Sequence, residues 1–103
     1  MANGGLHFGA GMALGAAETA REARWMEELG FEYFAAGEHY MRGDPPGPTH
    51  ASIPLLGVAA GATEKIRVLS SILLTPFYHP TVLAKLTNTL DIASGGRLTL
   101  GVG

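Results

Sequence analysis

Ile66 to Val102 reads IRVLSSILLTPFYHPTVLAKLTNTLDIASGGRLTLGV, and this stretch decides the fold. Ile66–Leu74 is a run of aliphatic and β-branched residues of strand length. Pro80 opens a segment in which Leu83, Leu86, Leu90 and Ala93 share one helical face, and Ser94-Gly95-Gly96 closes it. Arg97–Val102 then returns to strand character. Two strands joined through a helix read as a parallel β-α-β unit.

The same alternation continues upstream. Leu6-His7-Phe8-Gly9 reads as a first strand. Glu18 to Leu29 reads as a helix, with Ala20, Ala23, Met26 and Leu29 at three-residue spacing and Gly30 placed to end it. Phe31–Ala36 is an aromatic-rich second strand. Ser52 to Ala62 is a nearly all-apolar helix, with Ser52 as its expected cap and Pro54 in the first turn. The order is β-α-β-α-β-α-β, an α/β pattern that predicts a parallel sheet with right-handed crossovers.

The connections are asymmetric. Helix-to-strand turns are tight, whereas Gly37–Ala51, after the second strand, is long and holds three prolines and three glycines. In parallel α/β folds the elaborated loops lie at the carboxyl ends of the strands, where ligands bind. The expected functional rim is therefore Gly9–Gly15, Gly37–Ala51 and Thr75–His79. A complete (β/α)₈ TIM barrel takes about 250 residues. Residues 1–103 are thus expected to be a single partial barrel domain, its N-terminal half, truncated after strand four.

Composition narrows the function. Hydrophobic residues make up 47% of the chain and charged residues 16%, so this is neither a disordered tail nor a polar linker. Seven Lys+Arg against nine Asp+Glu, scattered along the chain, leave no footprint for nucleic acid. The apolar runs stop well short of a membrane span and the N-terminus lacks the features of a secretory signal, so a cytoplasmic location is expected. The absence of cysteine removes disulfides, thiolate metal sites and thiol nucleophiles. The four histidines form no HxH or HxxxH pair, so no metal site is expected.

Three segments carry candidate chemistry. Ala36-Gly37-Glu38-His39-Tyr40 places an acid beside a histidine at a strand's carboxyl end, where the pair can hydrogen-bond a ligand and move a proton near neutral pH. The bland alternative is a solvated Glu and a loop His. Ser70 and Ser71 stand in the centre of the third strand; they are either buried hydroxyls bonded to backbone or small residues that let a flat ring approach, and periodicity does not choose. Gly101 and Gly103 suit close approach by a ligand or backbone, or simply a turn.

In order and spacing, Gly37–Tyr40, Thr63-Glu64-Lys65-Ile66-Arg67 through His79-Pro80, and Asp91-Ile92-Ala93-Ser94-Gly95-Gly96-Arg97 through Gly103 resemble the luciferase-like monooxygenase family. The resemblance runs from about Leu6 to the last residue. It implies a (β/α)₈ barrel and a cofactor, FMN or a deazaflavin coenzyme, across the carboxyl-terminal mouth. It implies an oxidoreductase or monooxygenase acting on a small-molecule substrate, with a homo-oligomer or a flavin reductase as candidate partner. His39 would be the catalytic acid/base or substrate-orienting group, with Glu38 positioning it. Glu38, Ser70, Ser71, Ile72, Gly101 and Gly103 would line the cofactor. Many members carry a non-proline cis peptide at the position matching Ser71–Ile72, so a cis bond is expected there. The segments that would hold the cofactor's phosphate are absent, so the piece alone is expected to bind flavin weakly.

Two other readings compete. Gly9, Gly11 and Gly15 resemble a loosened dinucleotide fingerprint with Glu38 as the ribose ligand, which would make this a Rossmann-type nicotinamide-binding domain; the GxGxxxG spacing weakens it. Alternatively, a non-catalytic half-barrel would self-associate through its open edges. The remaining polar residues take plainer readings. His7 and His50 are structural or solvated, His79 packs before Pro80, and Trp25 covers the barrel exterior. Glu18, Arg21, Glu22, Arg24, Glu27 and Glu28 form the solvated face of the first helix, with Glu18–Arg21 a weak pair.

Overall fold

The computed structural model describes residues 5–10 and 15–103. The chain alternates as expected: β1 (Gly9–Ala10), α1 (Ala16–Glu28), β2 (Tyr33–Ala36), α2 (Ser52–Ala62), β3 (Arg67–Leu73), α3 (Pro80–Ala93) and β4 (Leu98–Val102), with a 3₁₀ turn at Thr75–Phe77. The strands form one parallel sheet in the order β1-β2-β3-β4. Phe34 pairs in register with Val68 and Val68 with Leu98, so one face of the sheet collects the apolar side chains. Against that face α1 contributes Ala23 and Met26, α2 contributes Leu56, Ala59 and Ala60, and α3 contributes Leu90. Burying such side chains is worth about 1.5–3 kcal/mol each for the larger ones, and this one-sided core holds the layers together.

Several boundaries differ from the sequence reading, each for a local reason. The first strand is Gly9–Ala10 and not Leu6–Gly9; Leu6 and Phe8 are exposed. Its only strand neighbour among the described residues is β2, and one neighbour fixes few residues. Leu29 is exposed and caps α1, while Thr19 takes the buried place, its hydroxyl bonded to the Gly15 carbonyl at 2.6 Å. On α3 the buried face runs through Leu90 and not through Leu86 or Ala93, which are exposed. Ser52 is not the cap of α2; Ala51 is, and Ser52 lies fully buried in the first turn. Gly95 and Gly96, with φ of 69° and 81°, turn the chain from α3 into β4 in a conformation that L side chains resist.

The amino-terminal end of the sheet is sewn together by three polar side chains. Glu27, assigned above to a solvated helix face, instead accepts the backbone N–H groups of Glu64, Lys65 and Ile66 at 2.6–3.2 Å. Arg97 donates to the carbonyls of Ala60, Thr63, Ile66 and Ser94 and to the Thr63 hydroxyl. Arg67 reaches the carbonyls of Gly96 and Leu98 and the Thr99 hydroxyl. The Gly-Gly-Arg stretch therefore builds a turn and its staple, at the end of the sheet opposite the candidate site. His7 and Glu32 pair at the same end, and His79 accepts from the Thr81 N–H, capping α3. Among the described residues the Glu18–Arg21 pair does not form.

Candidate active site at the carboxyl ends of the strands

Glu38 follows β2 directly, and its side chain is 3% exposed. A carboxylate so placed needs several donors, and it has them. The backbone N–H of Ser52 donates at 3.1 Å and its hydroxyl at 3.4 Å; the Leu74 N–H donates at 3.1 Å and the Tyr78 hydroxyl at 2.6 Å. The first of these is an orphan donor at the start of α2, so the carboxylate satisfies the helix terminus that Ser52 was expected to cap. Burial, then the hydrogen bond to Glu38, hold the Tyr78 phenol well above its ordinary pKa. Tyr78 therefore keeps its proton and remains the donor.

Glu38 is thus turned into the protein. Its hydrogen bonds run to α2, to the end of β3 and to Tyr78, and none runs to His39. With both oxygens engaged inside the protein, little of Glu38 is left open to a ligand. The nicotinamide reading loses its acidic residue; Gly11 lies outside the described residues, Gly9 sits in β1 against Tyr33, and Gly15 precedes α1 as its cap. Ser70 also takes its plainer role. It is fully buried, donates its hydroxyl to the Gly101 carbonyl at 3.0 Å and accepts the Gly101 N–H at 3.1 Å, bridging β3 to β4 where the ladder shifts register.

His39, Ser71 and Ile72 are different. All three are exposed. The Ser71–Ile72 peptide is cis, as the resemblance implied, and it lies within the register shift between Ser70 and Leu73. Gly37 approaches so closely that a Cβ there would sit 3.1 Å from the Ser71 carbonyl oxygen. A side chain at Gly101 would collide with the Ser70 carbonyl oxygen, and one at Gly103 with the Ile72 side chain. Gly37 and Gly101 let β2 and β4 close around the bulge, since backbone oxygens stand where their Cβ atoms would be, whereas at Gly103 the neighbour is the movable end of Ile72. Gly103 is tied in further, its N–H to Leu73 at 2.9 Å and its carbonyl to the Thr75 N–H and hydroxyl.

The carboxyl ends of β2, β3 and β4 therefore meet around an exposed, Cβ-poor ledge at Ser71–Ile72, with His39 on the adjoining loop. Tyr40, next to His39, packs its ring at a tilt against Phe77, centroids 4.5 Å apart. The sequence marked His39 and the serines but missed Ser52, Leu74, Tyr40, Phe77 and Tyr78. Tyr78 stood in a quoted motif, yet its partner is forty positions away, and no local pattern shows such a bond. Among the described residues there is no group of three or more His, Asp or Glu arranged to hold a metal ion, and no helix is long and apolar enough to cross a membrane.

Residues 4–103 match the model of the luciferase-like monooxygenase family. Over 81 residues the chain is 35% identical to 4-hydroxyprotoasukamycin monooxygenase of Streptomyces nodosus subsp. asukaensis, covering 79% of this chain and 21% of that protein. The coenzyme F420 dependent tetrahydromethanopterin reductase of Methanopyrus kandleri superposes with a TM-score of 0.80 at 29% identity, over 94% of this chain and 26% of that one. The oxygenating constituent of 3,6-diketocamphane monooxygenase of Pseudomonas putida, in complex with FMN, gives a TM-score of 0.75 at 25% identity, over 85% of this chain and 24% of that one. The chain thus spans 21–26% of the length of these relatives.

Proposed function

Because the chain belongs to the luciferase-like monooxygenase family, its four strands forming part of a barrel, we propose that it supplies the ring-facing portion of a flavin- or deazaflavin-dependent oxidoreductase active on a small organic molecule. One observation carries this reading: an exposed histidine adjoins an exposed, Cβ-poor ledge at the carboxyl ends of the central strands. The ledge fits a flat ring. Ile72 offers an apolar surface, Ser71 a small one, and Gly37 and Gly101 bring the flanking backbone close without side chains between.

When bound, a flavin or deazaflavin ring supplies the two-electron redox chemistry that amino-acid side chains lack. The chain's own part is positional and acid–base. Ser71 and Ile72 would support the ring. The His39 imidazole accepts or returns a proton as the substrate is oxidised or reduced. Glu38 takes no proton from substrate in this scheme; it fixes the loop that carries His39. The remaining strands of the barrel, and the phosphate site that barrels carry after their late strands, complete the catalyst. Where the ring is FMN, a separate reductase is the expected source of reducing equivalents.

The test is His39→Ala in the full-length polypeptide that carries this chain. Turnover falls by about 10²-fold or more, the usual worth of a positioned acid–base group, while the affinity for FMN or F420, read by fluorescence titration, changes much less. Unchanged turnover, or a loss explained wholly by cofactor affinity, removes His39 from the mechanism.

A further inference from the structure

His39 makes no side-chain hydrogen bond among the described residues, yet both of its chain neighbours grip the same segment. On one side Glu38 takes the Leu74 N–H at 3.1 Å and the Tyr78 hydroxyl at 2.6 Å. On the other, Tyr40 packs at a tilt on Phe77, 4.5 Å between ring centroids. Residues 74–78, which join β3 to α3, thus bracket the histidine from both flanks. We propose that Tyr78 is a positioning residue for His39, acting through Glu38, and that Phe77 is its counterpart through Tyr40. The proposal deepens the reading of His39 as the proton-handling group and rests on it for its catalytic meaning.

The physical argument is one of anchoring. An exposed residue in a fifteen-residue loop with six Pro and Gly has little to order it locally. Here the order comes from outside the loop. A buried carboxylate with four donors cannot swing without leaving donors unmet, so the backbone at Glu38 is fixed to the end of β3. The Tyr40–Phe77 pair fixes the next backbone unit but one. Between two such points the Cα of His39 has little freedom, and its imidazole searches only its own two side-chain angles. The raised pKa of the Tyr78 phenol agrees with a permanent donor.

The experiment uses the full-length polypeptide without added cofactor, observing the His39 backbone amide and imidazole by NMR relaxation, with His50 in the same loop as the internal control. In the wild type the His39 amide is ordered, S² near 0.85; in Tyr78→Phe, which deletes one hydroxyl and keeps the ring, it falls toward about 0.6, while His50 does not change. Phe77→Ala, a substitution at an exposed site that folding does not require, gives the same loss from the other flank. In the full-length polypeptide both variants lower kcat and leave KM for substrate within about twofold.

An unchanged S² at His39 in folded Tyr78→Phe and Phe77→Ala overturns the proposal. Should Tyr78→Phe fail to fold, Glu38→Gln, which weakens the acceptor of the same hydroxyl, takes its place, and an unchanged S² at His39 there overturns the Tyr78 half of the proposal. The outcomes separate from those of His39→Ala. If His39 proves dispensable for turnover but its order still depends on Tyr78, the acid–base reading fails and the bracket stands.

Discussion

Glu27 illustrates how much one carboxylate does when it meets unpaired backbone. It lies near the end of α1, yet it receives three successive N–H groups from the turn that enters β3. Burial alone raises its pKa, but the backbone donors from Ile66, Lys65 and Glu64, with the charge of Arg97, outweigh that and leave it below its usual 4.5. A carboxyl lowered in the folded state contributes stability that is complete above the unfolded-state pKa and is lost as pH falls through the folded one. Glu27→Gln, with one acceptor oxygen and no charge, therefore destabilises the chain by about 1–2 kcal/mol at neutral pH, and the gap to wild type narrows below pH 4.5. Chemical denaturation across that range checks it; a gap independent of pH removes the charge from the explanation. Nothing local distinguished Glu27 from its solvated neighbours on α1, because its donors are 37–39 positions away.

At the scale of elements, the periodic signal was enough to order the strands and helices, since apolar spacing is a local property. The end of α2 was readable to the residue, where the apolar run meets Thr63-Glu64-Lys65; its cap was not, since Ala51 and not Ser52 precedes the first turn. Less was readable at β1 and α3. β1 has one sheet neighbour, and the face of α3 that turns inward depends on where α2 and β4 lie. For the site, His39 and the Ser71–Ile72 ledge were legible as motif; the true partners of Glu38 were not, because they come from two other elements. Arg97 belongs to this scale as well: its guanidinium joins the ends of α2 and α3 to the start of β3. A lysine has no planar fork to serve these acceptors together. Arg97→Lys should cost about 2 kcal/mol, seen as a lower thermal midpoint, with the His39 resonances unmoved. A displaced His39 signal would show that the two ends of the sheet are coupled.

Across the whole molecule, the core is one-sided. The helices cover one face of the sheet, while Leu100 and Val102 on β4, Ile72 on β3, and Val82, Leu86 and Ile92 on α3 are exposed. Among the described residues β1 and β4 each have a single strand neighbour. Open parallel edges beside apolar surface favour association. The chain by itself is therefore expected to elute from size-exclusion chromatography ahead of a monomer and to enhance the fluorescence of an apolar dye. The full-length polypeptide that carries it should do neither to the same degree. A clean monomer with no dye response would mean that this surface is covered in some other way.

The guanidinium of Arg97 and the carboxylate of Glu27 hold one pole of the sheet, and none of the residues assigned to chemistry lies there. The staples of the sheet and the proposed site thus lie at opposite poles. Substitutions in the Asp44–His50 loop, beyond the carboxyl end of β2, leave the stapled pole untouched, so a library confined to them should yield mostly folded variants.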